Sequence, residues 1–123
     1  MKKVRSKFIS VMILSCVILL FSNIARAEQV WLSTSIWSVL TDESYGGCMI
    51  RVDVELPESC NVGWVSLDCD GTYYAQRNGE NKFAAAMVAH SGQKIVHVLV
   101  NDEFKHNGYC VARRLDVTRF PAD

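Results

Sequence analysis

"CMIRVDVELPESCNVGWVSLDC", residues 48–69, is the stretch on which the fold turns. Its opening alternates strictly: Cys48, Ile50, Val52, Val54 and Leu56 fall on one side, and Met49, Arg51, Asp53 and Glu55 on the other. A period of two with one wet face is the mark of a half-buried antiparallel strand. "PESC" at 57–60 carries turn-forming residues, and "VGWVSLDC" at 62–69 returns with Val65, Leu67 and Cys69 on one face. With "PESC" as the turn, Leu56 faces Asn61, Val52 faces Val65, Ile50 faces Leu67 and Cys48 faces Cys69. The last three pairs all point inward, and Trp64 then points outward opposite Asp53. A slip of one residue would set Cys48 against an outward position, so the alternation supports this register.

The same register bears on the cysteines. Cys48, Cys60, Cys69 and Cys110 follow the N-terminal segment, an even number with three connectivities open to it. The gaps of 11, 8 and 40 residues lack the close C-x-x-C pairs of a zinc site. Opposed cysteines on neighbouring antiparallel strands can bond. Cys48–Cys69 is therefore expected, which leaves Cys60 for Cys110. Cys48–Cys60 with Cys69–Cys110 is the rival pairing.

Upstream, "MKKVRSK" is basic, "FISVMILSCVILLF" is apolar and "SNIARA" ends in Ala25-Arg26-Ala27, a small-x-small cleavage signature. The apolar run is short for a membrane span of about 20 residues. Cys16 is followed by "VILLF" and lies inside that run, not at a lipidation site. The pattern predicts a signal peptide at 1–27 and an exported chain, periplasmic or secreted, beginning at Glu28, with no stable membrane insertion after cleavage. Residues 28–123 then form a single domain, small enough to need staples. Five of the 13 Lys/Arg precede Glu28, leaving 8 against 13 Asp/Glu, a formal charge of −5 on the remainder. An acidic domain is poorly suited to nucleic acid, whose binding relies on Lys and Arg neutralising phosphates.

Outward from the hairpin, "VWLSTSIWSVL" at 30–40 is rich in β-branched and aromatic residues. "NKFAAAMVAHSG" predicts a helix over 81–91, capped by Asn81, stopped at Gly92 and burying a stripe of Phe83, Ala84, Met87 and Val88. "KIVHVLV" at 94–100 reads as a central strand and "YCVARRLDVTR" at 109–119 as the last one. The order β-β-β-α-β-β predicts a mainly β fold with one helix, a small OB-fold-like, partly open barrel. Another small α+β sandwich is the alternative.

Candidate chemistry is sparse. "KHNGYC" at 105–110 sets His106 near Cys110, but Asn107-Gly108 tolerates positive φ, and a disulfide-bonded Cys110 offers no thiolate. "DCDG" at 68–71 resembles the opening of a calcium loop whose later acids are missing. His90, His97 and His106 lack metal-ligand spacing, Asp53 and Glu55 read as a solvated face, and no hydrolase, zinc-protease or phosphate-loop motif occurs. No catalytic residue, metal or cofactor is assigned. The aromatics say more. Trp31, Trp37, Tyr45, Trp64, Tyr73 and Tyr74 are set among polar residues, as in small β modules that hold sugars or proteins. The alternative is that the tryptophans plug the barrel ends.

"CNVGWVSLD" at 60–68, the helix with "AAAMVAHSGQ", "KIVHVLVND" and "NGYCVARRLDV" resemble small exported, disulfide-linked OB-fold-like proteins of Gram-negative bacteria over about 60 residues. The resemblance also implies the Cys60–Cys110 link. At the level of layout alone it extends to the B subunits of AB5 toxins, which are exported OB-folds that form rings and bind glycans, although no receptor-site motif of theirs is present. The expected function is a non-enzymatic binding module for a glycan or a protein partner, with a homo-oligomer admitted by that analogy. The alternative is a periplasmic inhibitor or immunity protein for a hydrolase or toxin, and a third class is a small enzyme of unassigned activity that would depend on Asp68, Asp70 or His106.

Overall fold

A computed structural model describes residues 27–118, so the expected signal peptide falls almost wholly outside the described residues. Among the described residues there are five strands and one α-helix: β1 (Gln29–Leu40), β2 (Met49–Val52), β3 (Trp64–Ser66), α1 (Gln76–Ser91), β4 (Ile95–His106) and β5 (Tyr109–Val117). A 3-10 turn at Glu43–Tyr45 separates the first two strands. The strands close into a ring in the order β1-β2-β3-β5-β4. All neighbours are antiparallel except β3 and β5, which run parallel and share one bridge pair, Ser66 with Val111. With the helix between β3 and β4, this is the small, partly open OB-type barrel that the strand order predicts.

The ring is filled from inside by alternate residues. Leu32 and Ile36 of β1, Ile50 and Val52 of β2, Val65 of β3, Val96, Val98 and Val100 of β4, and Cys110 and Ala112 of β5 form one buried cluster with Leu67. Three register shifts interrupt the ladders, and two of them are single-residue bulges, in β1 and β5. In β1 the register shifts between Ile36 and Ser38, so Trp37 has no partner across the ladder. In β5, Leu99 pairs with Arg114 and Val100 with Ala112, so Arg113 is the extra residue. Each bulge puts one additional side chain on the outer surface before the inward rhythm resumes at Val39 and Leu115.

The β2–β3 register differs from expectation by two residues. Ile50 pairs with Val65, Met49 with Ser66 and Arg51 with Trp64. "PESC" is not a tight hairpin turn. β2 ends at Val52, and residues 53–63 form an irregular connection that consumes the two extra positions. A slip of two preserves the faces, so Cys48, Ile50 and Val52 are buried as expected, but Met49, expected on the wet face, is buried as well, which leaves Arg51 as the exposed residue of β2. Cys48 nevertheless bonds to Cys69, and Cys60 to Cys110. The reason differs from a cross-strand pair. The Leu67 amide donates to the Cys48 carbonyl at 3.0 Å, so Leu67 is the residue alongside. Asp68 then takes a left-handed turn (φ +58°), which returns Cys69 to within 5.6 Å of Cys48, Cα to Cα.

The helix begins five residues earlier than Asn81 and has no side-chain cap. Its buried positions are Gly79, Lys82, Ala86 and Ala89, spaced at i, i+3, i+7 and i+10. Phe83 packs partly on the core, but Met87 and Val88 are exposed, at 40% and 61%. The expected stripe was out of phase because the helix approaches the barrel too closely for large side chains. A Cβ on Gly79 would lie 2.2 Å from the Asp68 carbonyl oxygen. His90 then pins the other end, its Nδ1 donating to the Ile36 carbonyl at 2.9 Å.

The β4–β5 hairpin turns on Asn107 (φ +50°) and Gly108 (φ +83°) between the paired His106 and Tyr109. Positive φ at both central residues is the two-residue hairpin geometry expected of Asn-Gly. β4 runs six residues beyond Val100, through an irregularity between Asn101 and Lys105, and so carries His106 at its end. The two disulfides fit an oxidising, exported environment. Among the described residues no helix is long and apolar enough to cross a membrane.

Candidate functional site

Polar side chains gather in two places. The first lies where β3 leaves the barrel. Asp68 is fully buried, and its Oδ2 accepts from the backbone amides of Tyr73 (3.0 Å) and Tyr74 (2.7 Å). Its Oδ1 accepts from His106 Nε2 at 2.9 Å. Asp70 Oδ1 lies 3.9 Å from the same nitrogen and accepts from the Thr72 amide and hydroxyl. Burial alone would raise the Asp70 carboxyl, but the two Thr72 bonds, Asp68 and the charge of His106 outweigh it and hold it below the usual carboxylate value. Gly46 closes over the cluster, since a Cβ there would lie 2.5 Å from the His106 ring.

Asp68, Asp70 and His106 each offer a ligand atom within 4.8 Å of the others, a spacing that a metal ion could span. The bonding argues for another role. Both Asp68 oxygens are already engaged by protein donors, and His106 Nε2 is directed at a carboxylate as a donor. A cation would have to displace His106 from Asp68. The arrangement ties three segments together: the β3 exit, the loop entering α1, and the end of β4. Sequence reasoning names Asp68, Asp70 and His106 together only as the residues of an unassigned enzyme, and nothing in their spacing signals that they meet, because His106 lies 38 positions after Asp68.

The second place is a groove of about 1150 Å³ between α1 and the outer face of β1, β4 and β5. Its helical wall carries Arg77, Asn78, Asn81 and Lys82, and its sheet wall carries Trp31, Leu99, Asn101, Arg113 and Arg114. Trp31, Leu99 and Arg114 form one row, since Trp31 pairs with Leu99 and Leu99 with Arg114. The Arg114 guanidinium lies 5.7 Å from the Trp31 ring centroid, and Trp31 is still 50% exposed. Arg113 donates to Gln29 Oε1 at 3.2 Å, and Arg114 Nε to Asp116 at 2.9 Å. At the floor, buried Lys82 donates to the Ala112 carbonyl and lies 5.2 Å from the Tyr74 ring centroid. Burial pushes its ammonium down to about 8, against a partial opposing pull from Asp68. Asn101, also buried, donates to the Tyr74 hydroxyl at 3.3 Å and accepts from the Glu103 amide at 3.0 Å.

The six aromatics expected to mark a binding face are not brought together. Trp31 and Tyr74 line the groove. Trp37, thrown out by its bulge and 61% exposed, borders a separate hollow of about 350 Å³ with Ser35, His90 and Lys94. Tyr45 packs edge-on against Tyr109 at 5.5 Å. Trp64 is half-buried, opposite Arg51. Tyr73 stacks on Phe104 at 4.8 Å and donates to the Lys105 carbonyl at 2.6 Å. The residues that sequence reasoning missed are the groove's arginines and amides. Arg113 and Arg114 are adjacent in a strand, where alternation would send them to opposite faces, and only the bulge puts both outside. No protein-family model, curated protein or solved structure matches the chain.

Proposed function

We propose that this protein is an exported, non-enzymatic binding module and that the groove between α1 and the β1–β4–β5 face holds a glycan. The observation that carries the proposal is the groove itself. It joins an exposed tryptophan to amide and guanidinium groups from Asn78, Asn81 and Arg113. Saccharides present apolar C–H faces beside hydroxyls, and such a site offers an aromatic platform beside directional hydrogen-bonding groups. The Asp68–His106 cluster is read as structural, because both Asp68 oxygens and His106 Nε2 are engaged in holding the chain. The test is a saccharide titration followed by tryptophan fluorescence. Trp31→Ala should weaken binding at least about 10-fold, the loss of about 1.4 kcal/mol. Trp37→Ala, outside the groove, should bind like the parent. Equal loss in both variants would show that the groove is not the site.

A second reading, an inhibitor or immunity protein, is favoured by the acidic character of the rest of the chain, which could cover a basic enzyme. In that case a purified cationic hydrolase would be inhibited at a stoichiometry of one to one, and Trp31→Ala would not relieve the inhibition.

A further inference from the structure

We infer that the groove selects an anionic saccharide, one bearing a carboxylate or a sulfate, with the acidic group held by Arg113 and Arg114 beside the Trp31 ring. The inference rests on the glycan-binding reading and adds the charge class of the ligand. Its basis is the segregation of charge. After position 27 the chain has 8 basic and 13 acidic residues. Four of the basic ones, Arg77, Lys82, Arg113 and Arg114, line this groove, against one acidic residue, Glu103. A chain that is acidic overall thus carries a local excess of positive charge in one concave place, three among the lining residues and two once Asp116, the partner of Arg114, is included.

The geometry suits an oxyanion. The bulge at Arg113 sends two consecutive guanidinium groups to the same side of β5. Arg113 is bonded to a neutral amide, Gln29, so its charge is not cancelled by a carboxylate there. Arg114 engages Asp116 through Nε alone, and that pair is well exposed, with side chains at 64% and 38%. Exposed pairs of this kind hold weakly, and the terminal nitrogens of Arg114 are left for a planar or tetrahedral anion. Lys82 adds a cation at the floor that is protonated at neutral pH.

The test uses the full exported protein against three probes of matched core: lactose, sialyllactose and sulfated lactose, each at about 50 and 300 mM NaCl. The expected result is binding of one or both charged sugars at least about 10-fold tighter than lactose, weakened by salt as screened charges require. The Arg113→Gln/Arg114→Gln double variant should abolish that preference while its thermal midpoint stays with the parent, because both side chains are exposed. Arg77→Gln, on the opposite wall, should reduce the preference by a smaller factor. Equal binding of lactose and the charged sugars overturns the inference and leaves the glycan reading standing. Failure to bind any saccharide on a broad neutral and acidic panel removes both. Tight binding of poly-glutamate with no saccharide binding would assign the groove to acidic polypeptides and would also overturn the inference.

Discussion

The two polar regions of this protein use similar side chains in opposite ways. At the β3 exit, an aspartate, a second aspartate and a histidine converge, and their hydrogen-bonding capacity is directed at backbone amides and at each other. In the groove, arginines and amides are spread along two walls, and much of their capacity faces solvent. The difference teaches how to separate a structural polar cluster from a recognition surface in a small domain. Burial and close approach alone would favour Asp68 and His106 as the functional pair. Counting what each atom already binds favours the groove. A buried carboxylate that accepts from two consecutive amides fixes the backbone leading into α1, and α1 is the groove's helical wall. The tight cluster thus positions the open one.

The largest effect that could break this comparison is at Asp68. Asp68→Ala removes one buried acceptor and strands two backbone amides and an imidazole, so stability should fall by about 3–5 kcal/mol in urea unfolding. A loss below about 1 kcal/mol would mean that the cluster is not structural and would return it to candidacy as a site. Gly79→Ala comes next. On helix propensity alone it should stabilise by up to about 1 kcal/mol. The approach of Asp68's carbonyl to that position reverses the sign, and a net loss of about 1–3 kcal/mol is expected from overpacking against backbone. A more stable Gly79→Ala protein would show that α1 can move off the β3 exit, and the two regions would then be independent.

The smallest effect concerns Lys82 and is read as a slope. Its ammonium is depressed from an ordinary 10.5 to about 8 by burial. Between these values the unfolded chain holds a proton that the folded chain has released, so this group makes stability rise as pH increases from about 8 to 10.5. Below about 8 both states are protonated and the slope vanishes. Lys82→Met should flatten the rise in unfolding midpoints across that window. An unchanged slope would place the ammonium in water, and the groove would then be deeper and wetter than its lining indicates.

Much of the barrel was legible in the chain. Alternation over Cys48 to Val52 identifies the core face of β2, although Met49 on the other face is buried too, and Asn107-Gly108 identifies the last turn, since both are local properties of backbone geometry. The β2–β3 register was misplaced by two because nothing local distinguishes a tight turn at "PESC" from the irregular 53–63 connection, and parity survives either choice. The helix differs in phase from expectation because apolar size is not the sign of burial here. Its inner face is in fact made of Gly79, Ala86, Ala89 and a lysine, and close approach to the barrel excludes anything larger against the ring. The site was least legible. Trp31 was among its expected residues, but the groove depends on a bulge at Arg113 and on long-range pairing of β1, β4 and β5, neither of which leaves a mark in the order of residues.

The ring closes through its weakest ladder. β3 and β5 share a single bridge pair, and the rest of that junction is carried by other means: the Asn61 amide on the Gly108 carbonyl, the Asn61 side chain on the Asn107 carbonyl, and the Cys60–Cys110 bond. The covalent link therefore serves as the clasp of the seam, and the lifetime of the protein becomes a function of where it is. In an oxidising medium the seam stays shut and the chain should resist proteases. On entry into a thiol-rich compartment the clasp opens, the turn at Asn107-Gly108 loses its tether, and cleavage should begin at that hairpin. Disulfide status would then act as a clock that limits how long the barrel survives once it reaches a reducing interior.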